Sequence, residues 1–194
     1  VAVGGDAVGT DDDGIDAAGA QHQAGGVVGD DGMGDAVLRQ FPGGEQALVA
    51  RAGLVDTARR IHDAGLFVSG YCRGGMFPAA TAEGIKAADA DNRQAVDDAC
   101  ELNASCLVLV VGGLPGALAG IAAHKNIQQS RDQVFEGIEK LLVYAKSCSM
   151  PLAIEPLHPM YAADRACINT LEHALDVCDK LDPMQTGALG VAVD

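Results

Sequence analysis

PLAIEPLHPMYAADR, residues 151–165, is the stretch on which the fold turns. Leu152-Ala153-Ile154 is a short apolar run that delivers a carboxylate, Glu155, at its end. Pro156 and Pro159 then stop the strand, because proline cannot donate to a ladder and restricts the residue before it. His158 sits between the prolines, and Tyr161, Asp164 and Arg165 follow within one loop's reach. A buried strand that ends in a carboxylate and opens into a rigid polar loop is how parallel α/β barrels present chemistry. The plainer alternative is a strand-end Glu that only caps a neighbouring helix.

Outward from this stretch the chain alternates. Upstream, Leu54, Ala58 and Ile61 mark one helix face, closed by Gly65. LFVSG (66–70) reads as a buried strand, opening into Tyr71-Cys72-Arg73-Gly74-Gly75. A helix is expected from Asp91 to Asn103, followed by the strand CLVLVV (106–111) and the turn Gly112-Gly113. Ser130 and Gln133 form a capping box at the head of a helix whose stripe is Val134, Ile138, Leu141, Leu142 and Ala145. Downstream, a helix from Ile168 to Leu181 turns Ile168, Leu171, Leu175 and Cys178 inward, and LGVAVD (189–194) is the last strand. Continuous apolar strands separated by single helices mean a parallel sheet with right-handed crossovers. No GxGxxG opens a helix after any strand, which removes the main support for dinucleotide binding.

Glu155 and Asp194 both end apolar strands in this parallel array, so both are expected at the same carboxyl-end face. Paired oxygen ligands there suit Mg or Mn, and with added imidazole Mn, Co or Zn. Arg73, beside its glycine pair, is a candidate clamp for a substrate hydroxyl or carboxylate. His62, His124 and His173 fall on helices or a crossover and read as surface residues. No Lys/Arg cluster in the sequence marks a dedicated phosphate pocket.

The chain has 194 residues, 48% of them hydrophobic, 4% aromatic, with no Trp. That supports one aliphatic core, in a length short of the roughly 250 residues of a complete eight-fold barrel. The formal charge of −14 argues against nucleic acid as a partner. The six cysteines form no CxxC pair, and reduced thiols in a cytoplasmic protein are the expectation. No signal peptide and no apolar run of about eighteen residues occurs, so no membrane partner is expected.

Residues 1–44 differ from the rest. Val1 to Val37 is almost entirely Val, Ala, Gly and Asp, without a period of 3.6 or 2. One explanation is a disordered acidic tail. The other is misreading: these four residues share G-initial codons, as in out-of-frame translation of a GC-rich gene. Glu shares that first base, yet none occurs before Glu45. The chain is expected to be a fragment, with an irregular segment over 1–44 and one domain over 45–194.

The segment from Glu45 to Asp194 resembles the sugar isomerase/epimerase superfamily with the xylose-isomerase-like TIM barrel. The motifs that carry the resemblance are the Cys72-Arg73-Gly74-Gly75 loop, the Gly112-Gly113 loop, EPLHPMYAADR and GVAVD. It implies an α/β fold, a partial (β/α)8 TIM barrel of about four central βα units. It implies that Glu155 binds a divalent metal (Mn, Mg, Co or Zn) and moves protons at the substrate carbon, with Asp194 as a second metal ligand. His158, Arg73 and Arg165 become the substrate-binding candidates. The implied activity is isomerisation or epimerisation of a sugar or keto-sugar by proton abstraction next to a carbonyl. A metal-dependent dehydratase of a polyol or keto sugar, or a truncated inactive fragment, are the alternatives. An apurinic-site endonuclease is disfavoured, because the strand ends YCRGG and VVGGLP carry no histidine. The implied partner is a small-molecule sugar, with homo-oligomerisation left open.

Overall fold

A computed structural model describes residues 53–117, 122, 125–162 and 164–193. Its elements are α1 (Leu54–Asp63), β1 (Tyr71–Gly74), α2 (Ala82–Glu101), β2 (Leu107–Val110), α3 (Ile127–Ser147), β3 (Leu152–Glu155), a 3₁₀ turn (Pro159–Tyr161), α4 (Leu171–Leu181) and β4 (Leu189–Val191). The strands form one four-stranded sheet in the order β1-β2-β3-β4. Every pairing is parallel. Each crossover carries a helix, as the alternation of apolar strands and striped helices requires.

Period-2 alternation divides the sheet into two faces. Tyr71, Leu107, Leu109, Leu152, Ile154 and Leu189 join the large core under the helices. Cys72, Val108, Val110, Ala153 and Ala192 form a smaller cluster on the opposite, inner face. Leu107, Leu109 and Ile154 are fully buried, each stabilising by about 1.5–3 kcal/mol.

Element positions depart from expectation in four places, each for an identifiable reason. β1 lies at Tyr71–Gly74, not at 66–70. Leu66 and Phe67 are exposed, and Val68 and Gly70 are the buried members of that run. Pairing decides the matter: Tyr71 aligns with Leu107, and Tyr71 N–H donates to the Cys106 carbonyl at 2.9 Å. α2 starts at Ala82, capped by Thr81, whose hydroxyl accepts from Gly84 N–H. Glycine stands there where a capping box would place Glu, so the start carries no strong signal. α3 starts at Ile127 under Asn126. Ser130 is buried inside its first turn, and Gln133 instead exchanges two hydrogen bonds with the Ala79 backbone. In α4, Leu171 and Leu175 are half-exposed, while Ala174, Val177 and Cys178 turn inward. Both stripes satisfy helical spacing, and the one with the small Ala174 faces the sheet.

Asp182, nearly fully buried at the end of α4, holds the turn toward β4. Both its oxygens accept from the Thr186 hydroxyl at 2.8 and 2.9 Å, and Lys146 lies 3.8 Å away. Burial works to raise this carboxyl, but the Thr186 hydroxyl, Lys146 and the Thr186 and Ala188 amides outweigh it and hold it below 3.8. A depressed carboxyl contributes stability above its ordinary value and loses it as pH falls through the lowered one. Thr186→Ala should therefore lower the urea midpoint at pH 7, with the deficit narrowing as the pH is brought below 3.8.

Backbone geometry supplies a second test. Gly75 has φ +110°, and a Cβ there would meet the Val110 carbonyl oxygen at 2.3 Å, whereas Gly65 at φ +70° faces open space. Gly75→Ala should cost about 3 kcal/mol or more, from strain plus a backbone clash. Gly65→Ala should cost only about 1–2 kcal/mol, from the left-handed conformation alone. Chemical denaturation of the two variants measures the contrast.

Candidate active site at the carboxyl ends of the strands

Parallel strands deliver all their carboxyl ends to one edge of the sheet. β3 pairs with β2 so that Glu155 aligns with Val110, a member of the inner-face cluster. Glu155 therefore projects from the inner face, and it is 7% exposed. The Cys72 thiol, also on the inner face, donates to Glu155 Oε2 at 3.6 Å. This thiol–carboxylate pair joins two strands with one strand between them.

Cys72 belongs to a sequence motif that assigns it no role. With the strand placed at 66–70 it falls in a loop; with the strand at Tyr71–Gly74, alternation alone turns it inward. Asn92 on α2 reads in sequence as an ordinary helix residue. It is 1% exposed, and its Oδ1 accepts from Gly75 N–H at 2.6 Å while its Nδ2 donates to the Ala88 carbonyl at 2.9 Å. The Gly75 carbonyl in turn accepts from Phe77 and Gly112 amides, tying the end of β1 to the end of β2. A Cβ on Gly112 would press to 2.8 Å from the Met76 sulfur. The two glycine loops are thus packed against each other beside Glu155's edge.

The other sequence candidates are placed as follows. Arg73 is the extra residue at the irregularity in the β1–β2 register. Both its terminal nitrogens donate to Asp91 of α2, at 3.0 and 2.9 Å. That bond raises its pKa further, against the opposing effect of burial. Arg73 is therefore engaged by the helix layer rather than brought to Glu155. His158 is exposed at the head of the 3₁₀ turn, its Nδ1 accepting from Met160 N–H at 3.1 Å. Arg165 stacks its guanidinium 5.2 Å from the Tyr161 ring centre and lies 3.9 Å from Asp164. His158 and Arg165 are on the loop that leaves Glu155, which is pinned by Cys167 N–H to the Val111 carbonyl and Asn169 Nδ2 to the Leu157 carbonyl. Asp194 and His124 lie outside the described residues. His62 is exposed.

A catalytic zinc site takes three protein ligands. Among the described residues no three His, Cys, Asp or Glu side chains are grouped to hold one. Glu155 and Cys72 supply one carboxylate and one thiol. The described residues alone do not fit a metal centre.

The family model of the xylose isomerase-like TIM barrel matches residues 38–194. The chain belongs to this family. Among solved structures, protein SMc04130 from Sinorhizobium meliloti 1021 is 52% identical over 77% of this chain and 50% of its own, with a TM-score of 0.68. The chain thus spans about half the length of that protein. The 3-keto-D-glucoside 4-epimerase YcjR from E. coli is 17% identical, over 74% of this chain and 61% of its own, with a TM-score of 0.53. The IolI protein, whose crystal structure has a binding zinc atom, is 13% identical, over 77% of this chain and 49% of its own, with a TM-score of 0.58. At these identities the last two share the fold. No curated protein matches the chain. The family's α/β barrel architecture accounts for the four parallel strands and their helix-covered outer face. Among the described residues no helix is long and apolar enough to cross a membrane.

Asn92→Ala would leave the buried Gly75 N–H without its acceptor, a loss of about 1–3 kcal/mol. Urea unfolding should show that deficit, and amide hydrogen exchange should show Gly75 losing protection. An unchanged Gly75 rate would contradict the positioning role of Asn92.

Proposed function

We propose that the chain is part of a sugar isomerase or epimerase, and that Glu155 is one of its two acid/base groups. The observation that carries this is the buried carboxylate at the carboxyl end of β3, on the inner face and bonded by Cys72. Family membership and epimerase neighbours support the reaction class. A carboxylate at this edge can accept the proton from a carbon next to a carbonyl and return it to the same or the neighbouring carbon. The Cys72 thiol orients Oε2. The substrate is a small sugar or keto-sugar. His158 and Arg165, on the loop after β3, are the groups proposed to bond its hydroxyls. Arg73, already held by Asp91, is given no substrate contact.

The divalent metal implied by the family resemblance would require Asp194 and further ligands besides Glu155. When bound, such an ion would supply Lewis-acid polarisation of the substrate carbonyl.

Glu155→Gln in the whole gene product should lower turnover by about 10²–10⁴-fold, while circular dichroism and the unfolding midpoint stay close to wild type. Incubating the wild-type enzyme with a keto-sugar in deuterated water should place deuterium next to the carbonyl, and the variant should not. Deuterium incorporation followed by loss of water from the product would identify a dehydratase instead. Full activity of the variant would overturn the assignment of Glu155.

A further inference from the structure

On the outer face of the sheet, α3 and α4 leave a cleft of about 190 Å³ between them. Its floor is apolar: Val134, Ile168 and Val177 are all buried. Its rim brings together Arg131 from α3 with His173 and Lys180 from α4. Arg131 Nε donates to the Cys167 carbonyl at 3.0 Å, which fixes the guanidinium. Among the described residues neither Arg131 nor Lys180 has an ion-pair partner. Asp132 also lines the cleft, its carboxylate accepting from Gln128 Nε2 at 2.9 Å. What marks the site is that a concave, apolar-floored hollow gathers two cations and a histidine from two helices.

We propose that this cleft binds the phosphate group of a small molecule with a compact apolar body. The Arg131 fork suits two phosphate oxygens, Lys180 supplies a mobile point charge, and the histidine a further donor. The volume is below the 300 Å³ or so of pockets for drug-sized ligands, which limits the occupant to a small one. The surroundings of His173 agree. Burial lowers its pKa below 6.5, Arg131 and Lys180 lower it further, and Asp176 alone opposes them. Burial and the two neighbouring cations thus both disfavour the imidazolium when no anion is there. The proposal goes beyond the acid–base reading of Glu155 and does not depend on it.

The test is titration of the whole chain with inorganic phosphate at constant ionic strength set by chloride, read from the His173 imidazole resonances. Saturable shifts at His173, with its pKa raised relative to chloride alone, are expected, since a bound anion favours the imidazolium. Lys180→Gln, at an exposed position that leaves the fold alone, should weaken phosphate binding roughly two- to fivefold. Arg131→Gln should weaken it more, and Lys180→Gln keeps the test decisive should that variant lose the Cys167 bond and unfold. A His173 pKa that phosphate does not move, unaltered binding in Lys180→Gln, or shifts confined to the Glu155 edge would each overturn the proposal.

Discussion

Register between β2 and β3 is the constraint on which the candidate site depends. Val110 aligns with Glu155, Leu109 with Ile154, and Leu107 with Leu152. A slip of one residue would exchange the faces, driving the Glu155 carboxylate into the helix-packed core and Ile154 toward the inner edge. Leucines and isoleucine forbid it: Leu107, Leu109 and Ile154 are fully buried under the helices. Burying a carboxylate there without partners would cost far more than the displaced apolar packing. The apolar residues of β3 thus hold its one acid in position by fixing the phase of the strand.

The same logic explains why β1 tolerates a polar residue. Arg73 sits at an irregular point of the ladder and would be a buried cation on the helix side but for Asp91, which meets both terminal nitrogens. A bidentate guanidinium–carboxylate pair is compatible with partial burial where a lone arginine is not. Gly74 beside it leaves room for Leu109, whose Cδ2 would lie 2.7 Å from a Cβ. Strand β1 is therefore built from Tyr71, one thiol, one ion-paired arginine and glycine, and its aliphatic content is nil.

That composition is why sequence reading places β1 too early while β2, β3 and β4 are legible. CLVLVV, LAIE and LGV are apolar runs that only a buried strand explains. LFVSG looks equally apolar, but strand identity is settled by partners: the preceding run leaves Phe67 53% exposed, and the ladder begins at Tyr71. Glu155 is legible because it ends an unambiguous strand. Cys72 and Asn92 are not, since one depends on the exact phase of β1 and the other on a bond between α2 and a loop seventeen residues earlier. Helix starts are hidden for a related reason: Thr81 and Thr170 cap with no Glu or Gln three residues on, and the Asn126–Gln129 start stands beside an equally good-looking Ser130–Gln133 one.

The outer cleft is invisible in sequence because its cations come from different helices, and only the packing of α3 on α4 unites them. Arg131 belongs to two structures at once. Its Nε holds the Cys167 carbonyl, and Cys167 N–H holds the Val111 carbonyl at the end of β2. One side chain therefore helps to pin the loop that returns from Glu155 and also supplies positive charge to the cleft. A neutral residue of the same shape could keep the first role and lose the second, so a structural need for a donor at position 131 does not account for its charge. Lys180 makes the distinction sharper, because it has no structural bond among the described residues and lies over the same cleft. Two cations facing one apolar-floored hollow, one anchored and one free, are arranged as a binding surface rather than as a brace for the fold.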